Sequence, residues 1–359
     1  MIMKRNFSNA IRFICLILAI GQGFSASAQD PNFSQFYNNP IYYNPGMTAI
    51  GNGFTLRSHA RSLWTPVPGK FDTYSVSFEA EAINKVGLGV LAYSDVAGEG
   101  LLRTTGGNLY YSYRAVDTRN FIFQVGFSGG VINKYVDWTK FTFSDQLDEV
   151  FGKINNSAFI QPNFNTTTYA DFGSGFALRF NNKSRKSGTS YKRSIVTVGG
   201  AVHHLTRPND AFIGDREKLP MKFTFHGNAN LLIQKIIYSP AFIFERQNQF
   251  QTFTIGGSII NKPFSAGFWL RNRTFLMSGK SYDSFIATLG INVPVNRATN
   301  LRVTYAFDMT LSRLRTASIG SHELSLILDF DNQKLFKGIQ TKNRNKRRFK
   351  CPTDFKGYD

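Results

Sequence analysis

Five histidines and a cluster of carboxylates are the groups in this chain whose types could carry chemistry. His203-His204 lies in a stretch of strand character, where successive side chains point to opposite faces, so the two rings do not converge on one metal. No other histidine pair shows ligand spacing with a matching carboxylate or thiolate. Asp137, Asp145, Asp148 and Glu149 concentrate negative charge in one long connection, but their spacing matches no calcium-loop pattern and reads as a solvated acidic loop. Gly87-Leu-Gly89 and Gly199-Gly200 are not followed by a helix that could help cradle a phosphate, and within strands such glycines relieve crowding or permit bending. A histidine and a serine on a barrel wall would suit a lipase, yet no nucleophile motif accompanies them. The chain therefore reads as a non-enzyme that needs no metal or cofactor.

The elements that position these residues begin behind a leader. Lys4, Arg5 and Arg12, the apolar run 13–20 and Ala26-Ser27-Ala28 have the form of a secretory signal ending at residue 28. Cys15 lies inside that apolar run and would leave with it, so Cys351 stands alone in the mature chain and no internal disulfide is expected. Three basic and no acidic residues leave with the leader, which lowers the net charge from +19 to +16. For a secreted chain with basic residues scattered along its length, that charge points to lipopolysaccharide, an acidic partner or a membrane surface, and away from nucleic acid.

Beyond residue 28 no stretch of about 18 apolar residues remains to span a bilayer as a helix. Instead, 35 Phe, 15 Tyr and 31 Gly suit many short strands with aromatic faces and tight turns. In 301–310, Leu301, Val303, Tyr305, Phe307 and Met309 alternate with Arg302, Thr304, Ala306, Asp308 and Thr310. Segments 222–231 and 322–330 repeat this pattern of one apolar and one polar face. Candidate strands fall at 53–60, 71–80, 85–94, 103–114, 119–134, 169–181, 193–206, 221–233, 236–246, 250–260, 264–273, 282–293, 299–309 and 317–330. Their lengths are near the ~10 residues a tilted strand needs to cross an outer membrane. Short connections alternate with longer ones such as 135–168 and 207–220; the basic connection 181–192 is too long for its place. The expectation is an all-β fold, an antiparallel transmembrane barrel of fourteen strands over 53–330, with both termini in the periplasm.

Fourteen strands enclose more space than their own side chains fill. Residues 29–52 contain QDPNFSQFYNNPIYYNPGMTAIG, too broken for a strand and too apolar for a linker, and are expected to fold back as a plug. Its aromatics would pack on the wall, while Asn32, Asn38, Asn39 and Asn44 would satisfy inward polar groups. Residues 331–359 carry nine basic and three acidic side chains and are expected to project into the periplasm as a docking tail.

The same opening stretch resembles the start of the PorP/SprF family, through Gln29-Asp30-Pro31, Phe33-Ser34-Gln35 and Asn44-Pro45. The likeness continues through Arg61 and Trp64, the Asp95 to Gly98 loop, Phe143 to Gln146, His204-Leu205, Arg207-Pro208-Asn209 and Ser239-Pro240. It extends to Tyr305 with Asp308, Ser321-His322-Glu323 and a basic tail ending near Cys351-Pro352. The resemblance implies an outer-membrane component of the type IX secretion system of Bacteroidetes, linked in some members to gliding motility. It also implies the translocon and periplasmic ring proteins, or a secreted adhesin-type cargo, as partners. Asp30, Pro31, Phe33, Ser34, Gln35, Phe36, Tyr37, Asn44 and Pro45 are the expected plug motif. Lys346, Arg347, Arg348, Phe349, Lys350, Cys351 and Pro352 are the expected docking tail, and Asp145, Gln146, Arg207, Pro208 and Asn209 the outer-loop candidates. The competing reading is a fourteen-stranded channel for hydrophobic small molecules resembling the fatty-acid transporters. The 29 residues after Phe330 speak for docking, since a transporter barrel normally ends at its last aromatic strand.

Overall fold

The computed structural model describes residues 30–330 apart from 52, 65–68, 70, 84, 99–101, 119, 149–150, 155, 160–164, 186–190, 213–217, 234–235, 275–281, 297–298, 312–317 and 319. Asp30, partly buried, closes a separate unit, Met1–Asp30; the fold below concerns the second unit, Pro31–Asp359.

Sixteen strands are described in chain order: β1 (Phe54–Leu63), β2 (Phe71–Ile83), β3 (Val86–Ala97), β4 (Leu102–Asp117), β5 (Phe121–Val136), β6 (Leu147–Asp148), β7 (Gly152–Lys153) and β8 (Thr166–Arg185). They continue as β9 (Tyr191–His203), β10 (Lys222–Ile233), β11 (Ile236–Gln247), β12 (Phe250–Asn261), β13 (Phe264–Asn272), β14 (Tyr282–Pro294), β15 (Thr299–Thr310) and β16 (Ser321–Phe330). All but β6 and β7, a small separate hairpin, form one closed fourteen-stranded antiparallel barrel. Each barrel strand pairs with its sequence neighbour in that sheet, and β16 closes on β1 in a register running from Phe54↔Phe330 to Leu63↔Ser321. The two terminal aromatics stack there with ring centroids 4.3 Å apart.

The two-residue period decides which side chains meet lipid. On β15, Tyr305 and Met309 are exposed while Thr304, Ala306 and Asp308 are buried inside; on β16, Leu324 and Leu326 face out while Glu323, Ser325 and Asp329 face in. Closure leaves no unpaired edge, which is what allows strands to cross a bilayer at all.

Several connections differ from the expected ones. The ladder between β8 and β9 continues through Asn181↔Ile195 to Arg185↔Tyr191, so the long basic connection shrinks to 186–190. Charged residues do not stop a ladder while both strands still offer partners. Register shifts at Glu81/Ile83 and Arg114/Val116 likewise carry β2 and β4 further than expected. At the other extreme, β9 stops at His203 because His204 adopts φ 56°, and β16 starts only at Ser321, after Gly320 at φ 107°. That turn also overturns the expected divergence of the two histidines: both rings reach interior groups, His203 the Tyr43 carbonyl and His204 the Asp171 carboxylate.

If the exposed face of the barrel meets lipid, Leu289→Arg in mid-β14 should cost about 2–4 kcal/mol, the range for a cation at the bilayer midplane. Equilibrium urea unfolding in phospholipid vesicles reads this, and a cost well below ~1 kcal/mol would show that Leu289 does not face lipid.

Candidate functional site: the filled lumen

The lumen is occupied by the chain's own residues 31–50, which run through short turns: a 3-10 turn at Phe36–Asn38, a one-turn helix at Pro40–Tyr43 and another 3-10 turn at Pro45–Met47. Pro40 and Pro45 open their turns at positions where the missing N–H leaves no bond unmade. Asn44 caps the last turn by accepting from the Gly46 amide at 2.7 Å.

So irregular a path leaves many peptide groups without partners in their own segment, and the wall supplies them. Ser112 Oγ and Gln124 Nε2 donate to the Thr48 carbonyl at 2.8 and 2.7 Å. Arg114 donates to the Ala49 carbonyl at 2.5 Å, and Arg179 to that of Ile50 at 3.2 Å. Glu79 accepts from the Ala49 amide at 2.9 Å while ion-paired to Arg57 at 2.5 Å. Asn44 donates to the Phe176 carbonyl and sits 2.9 Å from His226 Nε2. The fit around it is tight: a Cβ on Gly46 would lie 2.7 Å from the Phe176 backbone, and one on Gly126 would strike the Pro45 carbonyl.

Near the ends of β1, β13, β15 and β16 that carry the longer connections, four buried charges surround Ser34 and Gln35. Asp308 accepts from Arg271 at 2.8 Å and from the Ser34 hydroxyl at 2.9 Å. Glu323 accepts from the Ser34 amide at 2.6 Å and the Gln35 amide at 3.2 Å. Arg61 lies 3.4 Å from Asp308 and 3.8 Å from Glu323 and also donates to the Asn32 carbonyl. Two cations and two anions cancel, the condition under which such charges survive burial. Gln35 adds bonds to the Thr304 and Glu323 carbonyls and to Ser325 Oγ.

Aromatic rings fill the remaining space: Phe33 meets Tyr42 edge-on at 5.2 Å, and Tyr37 stacks on Trp269 at 4.7 Å. Tyr37 lines a cavity beside the segment, and burial pushes its phenol up to about 12. Burial raises Tyr43 as well, so both stay neutral, and the Tyr43 hydroxyl donates to Asn32 Oδ1 or the Phe33 carbonyl and accepts from the Phe33 amide. Pro31 takes part through its carbonyl, which accepts from Tyr42 Oη at 2.5 Å.

The outer-loop candidates divide. Asp145 accepts from the Ala158 amide at 2.6 Å and from Ser157 Oγ, and the amide chiefly holds its carboxyl below the usual range. Gln146 Oε1 accepts from the Phe143 amide. Both therefore shape their own loop, where Phe143 and Phe159 lie 4.6 Å apart. Pro208 and Asn209 do likewise, accepting from the Leu219 and Ala211 amides, while Lys134 anchors that loop to β5 through Asp210 at 2.7 Å. Arg207, at φ 47°, is exposed. No cluster of three metal-ligating side chains occurs among the described residues. Lys346, Arg347, Arg348, Phe349, Lys350, Cys351, Pro352 and Glu149 lie outside the described residues.

The family model described as type IX secretion system membrane protein PorP/SprF matches residues 25–328. The chain belongs to the PorP/SprF family. PorP/SprF is a secretion-system membrane protein family, not an enzyme family, and with the closed barrel it assigns the chain to the outer membrane. No curated protein matches. The toluene transporter TbuX of Ralstonia pickettii is 7% identical, with 82% of this chain and 93% of that chain covered at a TM-score of 0.44. For a FadL homologue of Pseudomonas aeruginosa the values are 10%, 78%, 90% and 0.35, and for outer membrane phospholipase A of Escherichia coli 9%, 64%, 80% and 0.31. Likeness at this level carries no argument about what the PorP/SprF chain binds.

Sequence reasoning put Arg61, Asp308 and Glu323 among the positions that resemble PorP/SprF without joining them to Ser34 and Gln35. It missed Arg271, Glu79 and His226; their inward place in the alternation was a signal for the face, not for the neighbour. Glu323→Ala should leave Arg61 and two amides short of an acceptor, a loss of about 3–5 kcal/mol that loosens residues 31–50. Limited proteolysis should then cut this segment faster and planar bilayers should show added conductance; wild-type behaviour in both would mean the carboxylate does not hold it. The raised Tyr37 phenol contributes stability that is complete below pH 10 and is lost as pH rises through about 12. Tyr37→Phe should accordingly flatten the alkaline fall in unfolding free energy between pH 10 and 12, measured against wild type.

Proposed function

We propose that the protein is a sealed outer-membrane docking barrel of type IX secretion, a binding and anchoring component and not a conduit. Its outer connections meet the translocon or an exported adhesin-type cargo, in some settings in service of gliding, and its basic tail meets periplasmic ring proteins. One observation carries this reading: residues 31–50 fill the lumen and are bonded to the wall along their length, from Ser34 on Glu323 to Ile50 on Arg179. A lumen closed by so many buried polar contacts supports surfaces, not passage, as the working parts.

The tail's placement is inferred from the end at which the last strand finishes. β16 ends beside the start of β1, at the barrel end whose connections 84–85, 118–120, 186–190, 234–235, 262–263 and 295–298 run to five residues or fewer; the long connections 137–165, 204–221 and 311–320 lie at the other end, and short turns belong to the periplasmic side of such barrels. Residues 31–35 lie at the opposite end of the lumen, against Asp308 and Glu323, so a periplasmic placement is proposed for the C terminus alone. The basic excess of the chain suits lipopolysaccharide and acidic protein partners; nucleic acid has no part in this reading.

Surface and culture-fluid proteins compared between wild-type cells and a clean deletion should show loss of one or more large exported proteins. Removal of residues 334–359 should leave the barrel inserted and reproduce that loss. Unchanged export in the full deletion would end the secretion reading.

A further inference from the structure

The rim of the barrel steps down between β8 and β9, at the end that carries the long connections. On one side β8 pairs with β5 along its upper length, from Thr166↔Tyr135 to Gly173↔Ser128. On the other side its ladder with β9 begins only at Ser174↔Val202. One further bond follows, from the Leu205 amide to the Phe172 carbonyl at 3.0 Å, and the chain then leaves in a turn at 205–206. Residues 166–171 of β8 therefore stand above β9 as a sheet edge, about 20 Å long at ~3.3 Å per residue.

Backbone alternation decides what this edge offers. The Val136 amide donates to the Asn165 carbonyl, so odd-numbered residues of β8 turn their peptide groups toward β5 and even-numbered ones turn theirs away. Thr166, Thr168 and Ala170 each point an N–H and a C=O to the open side, and none of these groups has a hydrogen-bond partner among the described residues. All three residues are exposed. The loop 204–221 passes nearby but is tied to the inward face, by Thr167 Oγ1 donating to the Ala211 carbonyl and by Lys134 paired with Asp210. Sheet edges are ordinarily guarded by lysine, proline or a bulge. The stretch Thr166-Thr167-Thr168-Tyr169-Ala170 has none of these, and its β-branched and aromatic residues favour a strand.

We propose that this edge is a β-addition site for an extended, uncharged and β-branched segment of another polypeptide on the outer side. Only a strand brings N–H and C=O groups at the spacing the edge presents. The edge looks along the rim, over β9, where a single strand fits and the curved wall of a second barrel does not. The side it faces rests on the docking reading; binding to the purified protein is measured apart from export, so either can fail alone.

The full chain in phosphatidylcholine nanodiscs, titrated with a fluorescein-labelled peptide of alternating threonine and valine flanked by lysines and followed by fluorescence anisotropy, tests the proposal. Saturable binding to the wild type is expected, with slowed hydrogen exchange at the Thr168 and Ala170 amides. Thr168→Pro removes an open N–H without touching the β5 ladder, and should weaken binding about tenfold, the weight of one or two hydrogen bonds. Thr168→Ala keeps the backbone and should bind as the wild type does. Ala170→Pro takes the place of Thr168→Pro should the latter give no folded barrel on a heat-modifiability gel. A peptide with proline at every second position should not bind. A wild type that binds nothing, binding that survives a folded proline variant, or equal binding of the proline peptide would overturn the proposal. So would wild-type dimers that Thr168→Pro separates, since a second copy would then be the occupant.

Discussion

A closed sheet of fourteen strands satisfies its own backbone but not its own interior, and the rest of this structure follows from that mismatch. Its radius is fixed by strand number and tilt, and inward side chains do not reach across the space enclosed. Either water stays or the chain must supply more of itself. Here twenty residues from Pro31 to Ile50 are supplied, and because they are irregular they bring a second demand, a partner for each buried peptide group. Thr48 shows the solution: its carbonyl accepts from Ser112 on β4 and Gln124 on β5, two strands whose inward positions happen to carry donors at the same height. The inner face is polar for this reason as much as because a lumen is ordinarily wet.

Several charges inside the barrel stand in cancelling groups. Arg57 with Glu79, Lys222 with Glu245, Arg302 with Asp329 and the four-charge group around Ser34 each sum to zero. Residues 331–359, with nine basic and three acidic side chains, carry +6 of the chain's net charge of +19. Buried pairs are weak contributors to stability when the desolvation of both ions is counted, but each partner is costly to lose once the other is in place. Such a lumen favours one position of the segment over many.

Much of the barrel was legible in the sequence because its signal is one-dimensional. Tyr305, Phe307 and Met309 against Thr304, Ala306 and Asp308 is a local alternation, and locality is enough to place a strand and its lipid face. The ends were less legible. Whether Asn181 to Arg185 continue a strand depends on Ile195 to Tyr191 lying opposite, and the outward expectation for one of His203 and His204 failed on a single left-handed residue.

By itself the sequence determined the all-β class, the number and facing of the strands and the membership of a family, all carried by short-range patterns and quoted motifs. Only the tertiary structure decided that Ser34 would meet Glu323, 289 positions away, or that Asn44 would sit between Phe176 and His226. The physical reason is that alternation specifies a face, whereas height inside a barrel depends on the register of every strand between the two partners. Closure sums those registers, and no local pattern contains the sum.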